Sequence, residues 1–142
     1  MNDSVLVVGM GEVGGPLAEV LGRSHQVTTR DVEPVSVVGV DVMHVCYPFQ
    51  IPDFAGITVD YIALHQPGIT IINSTVAPGT TRTIQERVDS PVVYSPVRGK
   101  HTRMRDELLR YTKFVAAKSS VDLQRAATHF IDAGFSVERM SS

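Results

Sequence analysis

A glycine-rich turn between an apolar run and an amphipathic helix constrains the fold of this chain more than any other feature. Residues 5–8 form a continuous apolar run, which is typical of a strand buried on both faces of a sheet. Residues 12–22 follow, with four apolar side chains on one helical face: Val13, Leu17, Val20 and Leu21. The stretch predicts the first strand, turn and helix of an α/β domain.

Three glycines in this turn, Gly9, Gly11 and Gly14, have the spacing G-x-G-x-x-G. Between a strand and a helix, the first permits a tight turn, the second lets the backbone approach a pyrophosphate, and the third permits close helix–strand packing. The N–H groups and dipole at the start of the helix favour a bound anion. The pattern predicts dinucleotide binding, and the alternative is a structural turn that holds no ligand.

An acidic residue, Asp31, stands at the end of the second predicted strand. At this place a carboxylate accepts hydrogen bonds from the adenosine ribose and repels a 2′-phosphate, which favours NAD over NADP. Arg30 beside it weakens that preference, because an arginine here accommodates the phosphate. The alternative is that Asp31 is a loop residue before Pro34.

The rest of the chain alternates short β-branched runs with longer helical patterns. Strands are predicted at residues 26–30, 42–47, 69–73, 92–94 and 113–117, and helices at 53–66, 80–88, 103–110 and 121–133. Gly134 predicts the end of the last helix, and residues 135–138 an edge strand. The pattern predicts one Rossmann-like domain over residues 1–142, a doubly wound α/β fold whose mainly parallel sheet has about six strands and helices on both faces.

The connection between strands two and three is unusually short. Only DVEPVSVVGV, residues 31–40, separates them, where a doubly wound fold usually places a helix. The sheet is therefore expected to be shortened here, with an edge that a second copy could cover in a homodimer.

Composition excludes several classes of function. A net charge of −2 provides no electrostatic basis for binding nucleic acid or acidic membranes. The apolar runs are far shorter than the roughly 20 residues that span a bilayer, and the N-terminus lacks the basic region of a secretory signal. Cys46 is the only cysteine, so no internal disulfide forms. We expect a cytoplasmic protein without nucleic-acid or membrane partners.

Polar or proline-containing pairs follow three of the predicted strands. They are Tyr47-Pro48, Ser74-Thr75 and Ser95-Pro96. Ligands of open α/β sheets bind in the crevice beyond the carboxyl ends of the strands, so these pairs are expected to line the same site as the glycine turn.

Several segments together resemble the NAD-binding domain of the UDP-glucose/GDP-mannose dehydrogenases, which oxidise the C6 alcohol of a nucleotide sugar to a carboxylate. GMGEVGGPLAEVL is similar to their opening fingerprint, HQVTTRD to the segment before their ribose-binding acid, and STVAPGTTR to their S-T-V-x-P-G-T-T motif. YSPVRG and YTKFVAA resemble the segments that follow. The resemblance covers nearly the whole chain.

The resemblance implies an NAD site and assigns residues to it. The cofactor turn would comprise Gly9, Met10, Gly11, Glu12, Val13 and Gly14, and Asp31 would hold the ribose. Tyr47, Pro48 and Ser74 would lie beside the cofactor. Thr75 matches the motif threonine, which implies a catalytic position close to the nicotinamide. A Ser-Thr pair after a strand is also a common helix cap or turn.

The chain departs from the family where its chemistry is carried out. Val97 stands where the family's S-P-E-R motif has a glutamate. The family's essential cysteine, lysine and asparagine lie in later domains that have no match here, and Cys46, within a predicted strand, is expected to be a small buried residue. We expect a cofactor domain without the catalytic-cysteine and substrate domains, which a separately encoded partner would supply.

Five histidines were considered as metal ligands. None has metal-ligand spacing, so no metal site is predicted. His44 is expected in the core, and His65 ends a helix.

Two other functions stay open. One is a module that senses NAD or another adenine nucleotide without turnover. The other is a minimal NAD-dependent reductase in which Thr75, Lys100 or His101 supports direct hydride transfer. Lys100 and His101 belong to RGKHTRMR, a basic segment that is expected either to contact a phosphate of the substrate or cofactor or to form a solvated loop.

Overall fold

The computed structural model of the chain describes residues 2–97, 108 and 112–140. Five strands form a parallel sheet in the order β2-β1-β3-β4-β5. Their bounds are β1 Ser4–Val8, β2 Gln26–Arg30, β3 Val42–Val45, β4 Ile69–Ile72 and β5 Val92–Tyr94. Strands β1, β3 and β4 are almost wholly buried, as their continuous apolar sequences predict.

Helices cover both faces of this sheet, as predicted. Their bounds are α1 Gly14–Leu21, α2 Phe54–His65, α3 Thr80–Arg87 and α4 Ser120–Asp132. Side chains of α1 and α4 pack with one set of strand residues, and those of α2 and α3 with the alternate set. Asp53 caps α2 by accepting a hydrogen bond from Gly56 N, and Ser119 caps α4 in the same way.

The predicted sixth strand does not extend the main sheet. A separate parallel pair is formed by β6, Lys113–Val115, and β7, Val137–Arg139, which precede and follow α4 in the sequence. A single antiparallel bridge between Tyr94 and Ala116 joins this pair to β5. Local sequence identifies a strand but does not specify which neighbour it pairs with, because that depends on how α4 crosses the sheet.

The shortened connection between strands two and three is confirmed. Residues 31–41 contain no helix or strand, and Val35 and Val37 pack onto the core beneath α2. Within the described residues β2 pairs only with β1 and forms an edge of the sheet. A homodimer through this edge stays a prediction, which sedimentation over a concentration series tests.

Several boundaries differ from prediction by one or two residues. Strand β3 ends at Val45, so Cys46 and Tyr47 lie just beyond it. The predicted helix at residues 103–110 lies outside the described residues except for Leu108, which is buried. None of the helices described here has the length and apolar character needed to cross a membrane.

Candidate functional site

The first and third glycines of the opening turn are required by close backbone packing. Gly9 has φ +95°, and a Cβ there would lie 2.7 Å from the backbone N of Tyr47. A Cβ on Gly14 would lie 1.6 Å from the carbonyl oxygen of Gly9. Larger side chains at either position would force β1, β3 and α1 apart.

The second glycine has a different surrounding. A Cβ on Gly11 would have no atom of the described residues within 4 Å, so within that part of the chain the backbone of the turn is open to a ligand. Helix α1 begins at Gly14, and its N-cap residue, Val13, has an apolar side chain that cannot cap the first N–H groups. Glu12 is exposed on the same turn. This arrangement leaves room for a phosphate against backbone N–H groups.

Asp31 lies beside the glycine turn, as its predicted role requires. Its Oδ1 accepts a hydrogen bond from Met10 N at 3.3 Å, and the residue is exposed. Arg30 turns to the α2 side, where its Nη1 lies 3.1 Å from His65 Nε2 and its guanidinium lies 4.8 Å from the Tyr61 ring centre. The acid thus faces the turn, and the arginine is held elsewhere.

Tyr47 contributes its backbone to this edge, while its side chain is buried. The hydroxyl lies 2.6 Å from Thr58 Oγ1, and the ring packs against Phe54 and Tyr61. Burial raises the pKa of this phenol above its ordinary range. Pro48, the next residue, is exposed.

The ends of β3 and β4 are tied together at the same edge. Ser74 Oγ donates a hydrogen bond to the Tyr47 carbonyl at 2.5 Å, and Thr75 beside it is exposed. A cleft of about 460 Å³ opens nearby, between the loop before α2 and the start of α3, lined by residues that include Phe49, Pro78 and Thr80.

Cys46 and Val97 at this edge are packed residues. Burial raises the pKa of the Cys46 thiol to about 12, although the positive charge of Lys113 opposes this shift. Val97 packs against the core beneath α1 and α4, where the resembling family has an acid. Cys46 was expected to be a small buried residue; it packs against this core but is only partly buried.

The structure also shows a polar row that the sequence did not predict. It runs through Lys113, Asn73, His44, His129 and Asp3, with successive distances of 3.0, 2.9, 2.8 and 2.7 Å. It begins at the carboxyl ends of the strands, crosses the core on the α4 side and ends before β1. The five residues are far apart in sequence and share no spacing pattern, so only the fold brings them together.

In every hydrogen bond of the polar row, the donor lies on the Lys113 side and the acceptor on the Asp3 side. Lysine donates in either protonation state, so Asn73 presents its Oδ1 to Lys113 and its Nδ2 to His44 Nδ1. His44 then carries its proton on Nε2 and donates to His129, whose Nδ1 donates to Asp3. Burial lowers the pKa of His44 well below its ordinary value and that of His129 to about 4.

One end of the row contains three residues of metal-ligating type. Ligand atoms of Asp3, His25 and His129 lie within 4.8 Å of one another. Each is already in a hydrogen bond: His129 Nδ1 with Asp3 Oδ2, His25 Nδ1 with Asp3 N, and the carboxylate with Arg125. Burial alone would raise the pKa of Asp3, but the hydrogen bonds from Arg125 and His129 lower it. The arrangement is a closed hydrogen-bond network, and no metal site is assigned.

Comparison of this fold with solved structures reveals high similarity over the whole chain. UDP-D-ManNAc dehydrogenase from Pyrococcus horikoshii superposes with a TM-score of 0.82 and 15% identity, over 98% of this chain and 47% of its own. GDP-mannose dehydrogenase from Pseudomonas aeruginosa has a TM-score of 0.72 and 14% identity, over 96% and 46%. The 3-hydroxyisobutyrate dehydrogenase of Mycobacterium tuberculosis has 0.71 and 18%, over 100% and 55%.

No protein-family model matches the sequence, and no curated protein matches it by sequence. The chain spans about half the length of the solved dehydrogenases that it resembles. It has the Rossmann-like α/β fold that nucleotide-sugar dehydrogenases and 3-hydroxyisobutyrate dehydrogenase share.

Proposed function

We propose that this chain is an NAD(H)-binding domain like that of the nucleotide-sugar dehydrogenases. The observation that carries the proposal is the opening turn, where Gly9 and Gly14 are required by packing while Gly11 faces open space. If the turn served packing alone, a residue with a side chain could stand in place of Gly11. Asp31, hydrogen-bonded to Met10 N, stands where a ribose would be held.

The position of Arg30 supports NAD rather than NADP. Its guanidinium packs on Tyr61 and contacts His65, while the exposed Asp31 carboxylate remains beside the turn. The 2′-phosphate of NADP would lie closer to the Asp31 carboxylate than to the Arg30 guanidinium, and the carboxylate would repel it. Bound NAD would supply the hydride chemistry, and the residues of this edge would bind and orient it.

We further propose that sugar oxidation needs a partner or domain that supplies a reactive cysteine. The Cys46 thiol is unsuited to this role because burial raises its pKa to about 12. Thr75, exposed beside Ser74, would orient the substrate or a water near the nicotinamide. Lys100 and His101, which a minimal reductase would use, lie outside the described residues.

Calorimetric titration with NAD, NADH and NADP tests the proposal. We expect NAD or NADH to bind in the micromolar range and NADP at least about tenfold more weakly, since its phosphate meets Asp31. Gly11→Ala and Asp31→Ala are expected to lose binding. Glu33→Ala removes an exposed acid from the same loop and serves as the matched control. Absence of binding at millimolar ligand would refute the proposal.

A further inference from the structure

Lys113 is a buried amine at the carboxyl edge of the sheet, and its two hydrogen-bond acceptors are neutral. Its Nζ donates to Asn73 Oδ1 at 3.0 Å and to the Ser95 carbonyl at 2.6 Å. The residue is 4% exposed. Asn73 and Ser95 directly precede Ser74-Thr75 and Pro96, so the amine lies immediately behind two of the turns that line the proposed cofactor site.

The amine also lies close to the third part of that site. Cys46 interacts with it electrostatically, and a Cβ on Gly14 would lie 3.2 Å from Cys46 Cβ. Cys46 therefore lies against the glycine turn and also interacts with the Lys113 amine. A positive charge on Lys113 would act on a ligand at that turn through protein interior, where charges interact more strongly than in water.

The groups that face Lys113 from each neighbouring element include no carboxylate among the described residues. Three of them follow strands: Cys46 after β3, Asn73 after β4 and Ser95 after β5. The ring of Phe130 on α4 has its centre 5.2 Å from Nζ, and His44 of β3 interacts electrostatically with Lys113. Burial without a counter-charge lowers the pKa of Lys113 to about 7. The free protein therefore holds this amine partly neutral near physiological pH.

The hydrogen bonds of the polar row fix the orientation of the Asn73 side chain towards Lys113. The hydrogen bond from Nδ2 to His44 Nδ1 and a contact of 3.3 Å to the Ile71 carbonyl fix the amide, so that Oδ1 faces Lys113. An amide oxygen stabilises an ammonium group more than an amine. The site therefore accepts a proton on Lys113 without rearrangement when a negative charge arrives nearby.

We propose that Lys113 takes up a proton when a dinucleotide binds at this edge, and that it thereby selects the reduced cofactor. This inference rests on the proposed NAD(H) binding. NAD and NADH have the same two phosphate charges, but the oxidised nicotinamide ring of NAD carries a positive charge that NADH lacks. The ammonium form of Lys113 repels that ring charge, so NADH gains more from it. By linkage, proton uptake on binding makes the affinity fall as pH rises.

Calorimetry with NADH and NAD, in phosphate and in Tris at about pH 7.5, measures the protons taken up. We expect the wild type to take up protons on binding, and to take up more with NADH than with NAD. As pH rises to about 9, the NADH affinity is expected to fall, about tenfold for each unit by which binding raises the pKa of Lys113. Lys113→Met and Lys113→Arg are expected to remove the uptake, since neither residue titrates there. Lys118→Met, an exposed lysine three residues beyond β6, is the matched control.

The outcomes separate this inference from the proposed function. NADH binding with the same proton uptake in both Lys113 variants as in the wild type would overturn the inference and leave NAD(H) binding intact. Failure of wild type to bind either dinucleotide would overturn both. Lys113→Arg keeps a charged donor, so it decides the matter if Lys113→Met fails to fold. We also expect the ¹⁵N-labelled Lys113 amine to titrate near pH 7 in the ligand-free protein.

Discussion

The carboxyl edge of the sheet and the polar row differ in how their residues are brought together. The edge is built from short contiguous segments, each directly after a strand, and includes a close approach of the Gly14 backbone to the Gly9 carbonyl oxygen. The row is built from five single side chains on five different segments. A site formed by local turns is readable from sequence motifs, whereas a row that crosses the core is not.

The largest effect is expected where the edge depends on packing. Gly14→Ala would place a methyl group 1.6 Å from the Gly9 carbonyl oxygen, so α1 would have to move. We expect a loss of about 3 kcal/mol or more in the free energy of unfolding, measured with urea. Gly11→Ala, whose new Cβ has no atom within 4 Å in the described part of the chain, is expected to unfold like the wild type. Equal losses in the two variants would show that the turn is not built as described.

The polar row is expected to make the protein sensitive to acid. An unfolded histidine takes up a proton near pH 6.5, but burial lowers the pKa of His129 to about 4 in the fold. Between these values the unfolded state binds more protons, so stability falls as pH falls, by on the order of 3 kcal/mol from this group. Urea unfolding at about pH 7 and about pH 4 measures the difference.

A glutamine at position 129 sharpens this test. Its amide can accept from His44 and donate to Asp3, which keeps the direction of the row without a titrating ring. His129→Gln is therefore expected to lose less stability in acid than the wild type. Thr128→Ala, an exposed neighbour on α4, should retain the wild-type dependence. The same acid dependence in all three proteins would place its origin outside the row.

The smallest effect is expected for a buried polar group that belongs to neither region. The Thr70 hydroxyl is buried in β4 and has no hydrogen-bond partner among the residues that the structure describes. Thr70→Val replaces it with a methyl group of the same shape, and we expect unchanged stability or a gain of up to about 1 kcal/mol. Asn73→Leu, a change of similar kind inside the row, is expected to destabilise because it removes one hydrogen-bond partner from Lys113 Nζ and the hydrogen bond to His44 Nδ1. Thermal unfolding of both variants makes the comparison.

The sequence by itself determined the order of strands and helices, the glycine turn and the polar pairs at the strand ends. These features depend on local periodicity and on the conformational freedom of glycine, which are properties of neighbouring residues. Asp31 could be placed beside the turn because parallel strands end at one edge. The resemblance of STVAPGTT to the nucleotide-sugar dehydrogenases pointed to the same fold as the structural comparisons.

Only the tertiary structure decided how the last strands pair and what the buried polar residues do. Strands β6 and β7 pair with each other and reach the main sheet only through the bridge between Tyr94 and Ala116, which no local pattern records. His129 has the periodicity of an ordinary helical residue, and Lys113 that of an ordinary strand residue. Their pKa shifts and hydrogen bonds arise from partners far away in sequence, since burial and long-range contacts exist only once the chain has folded.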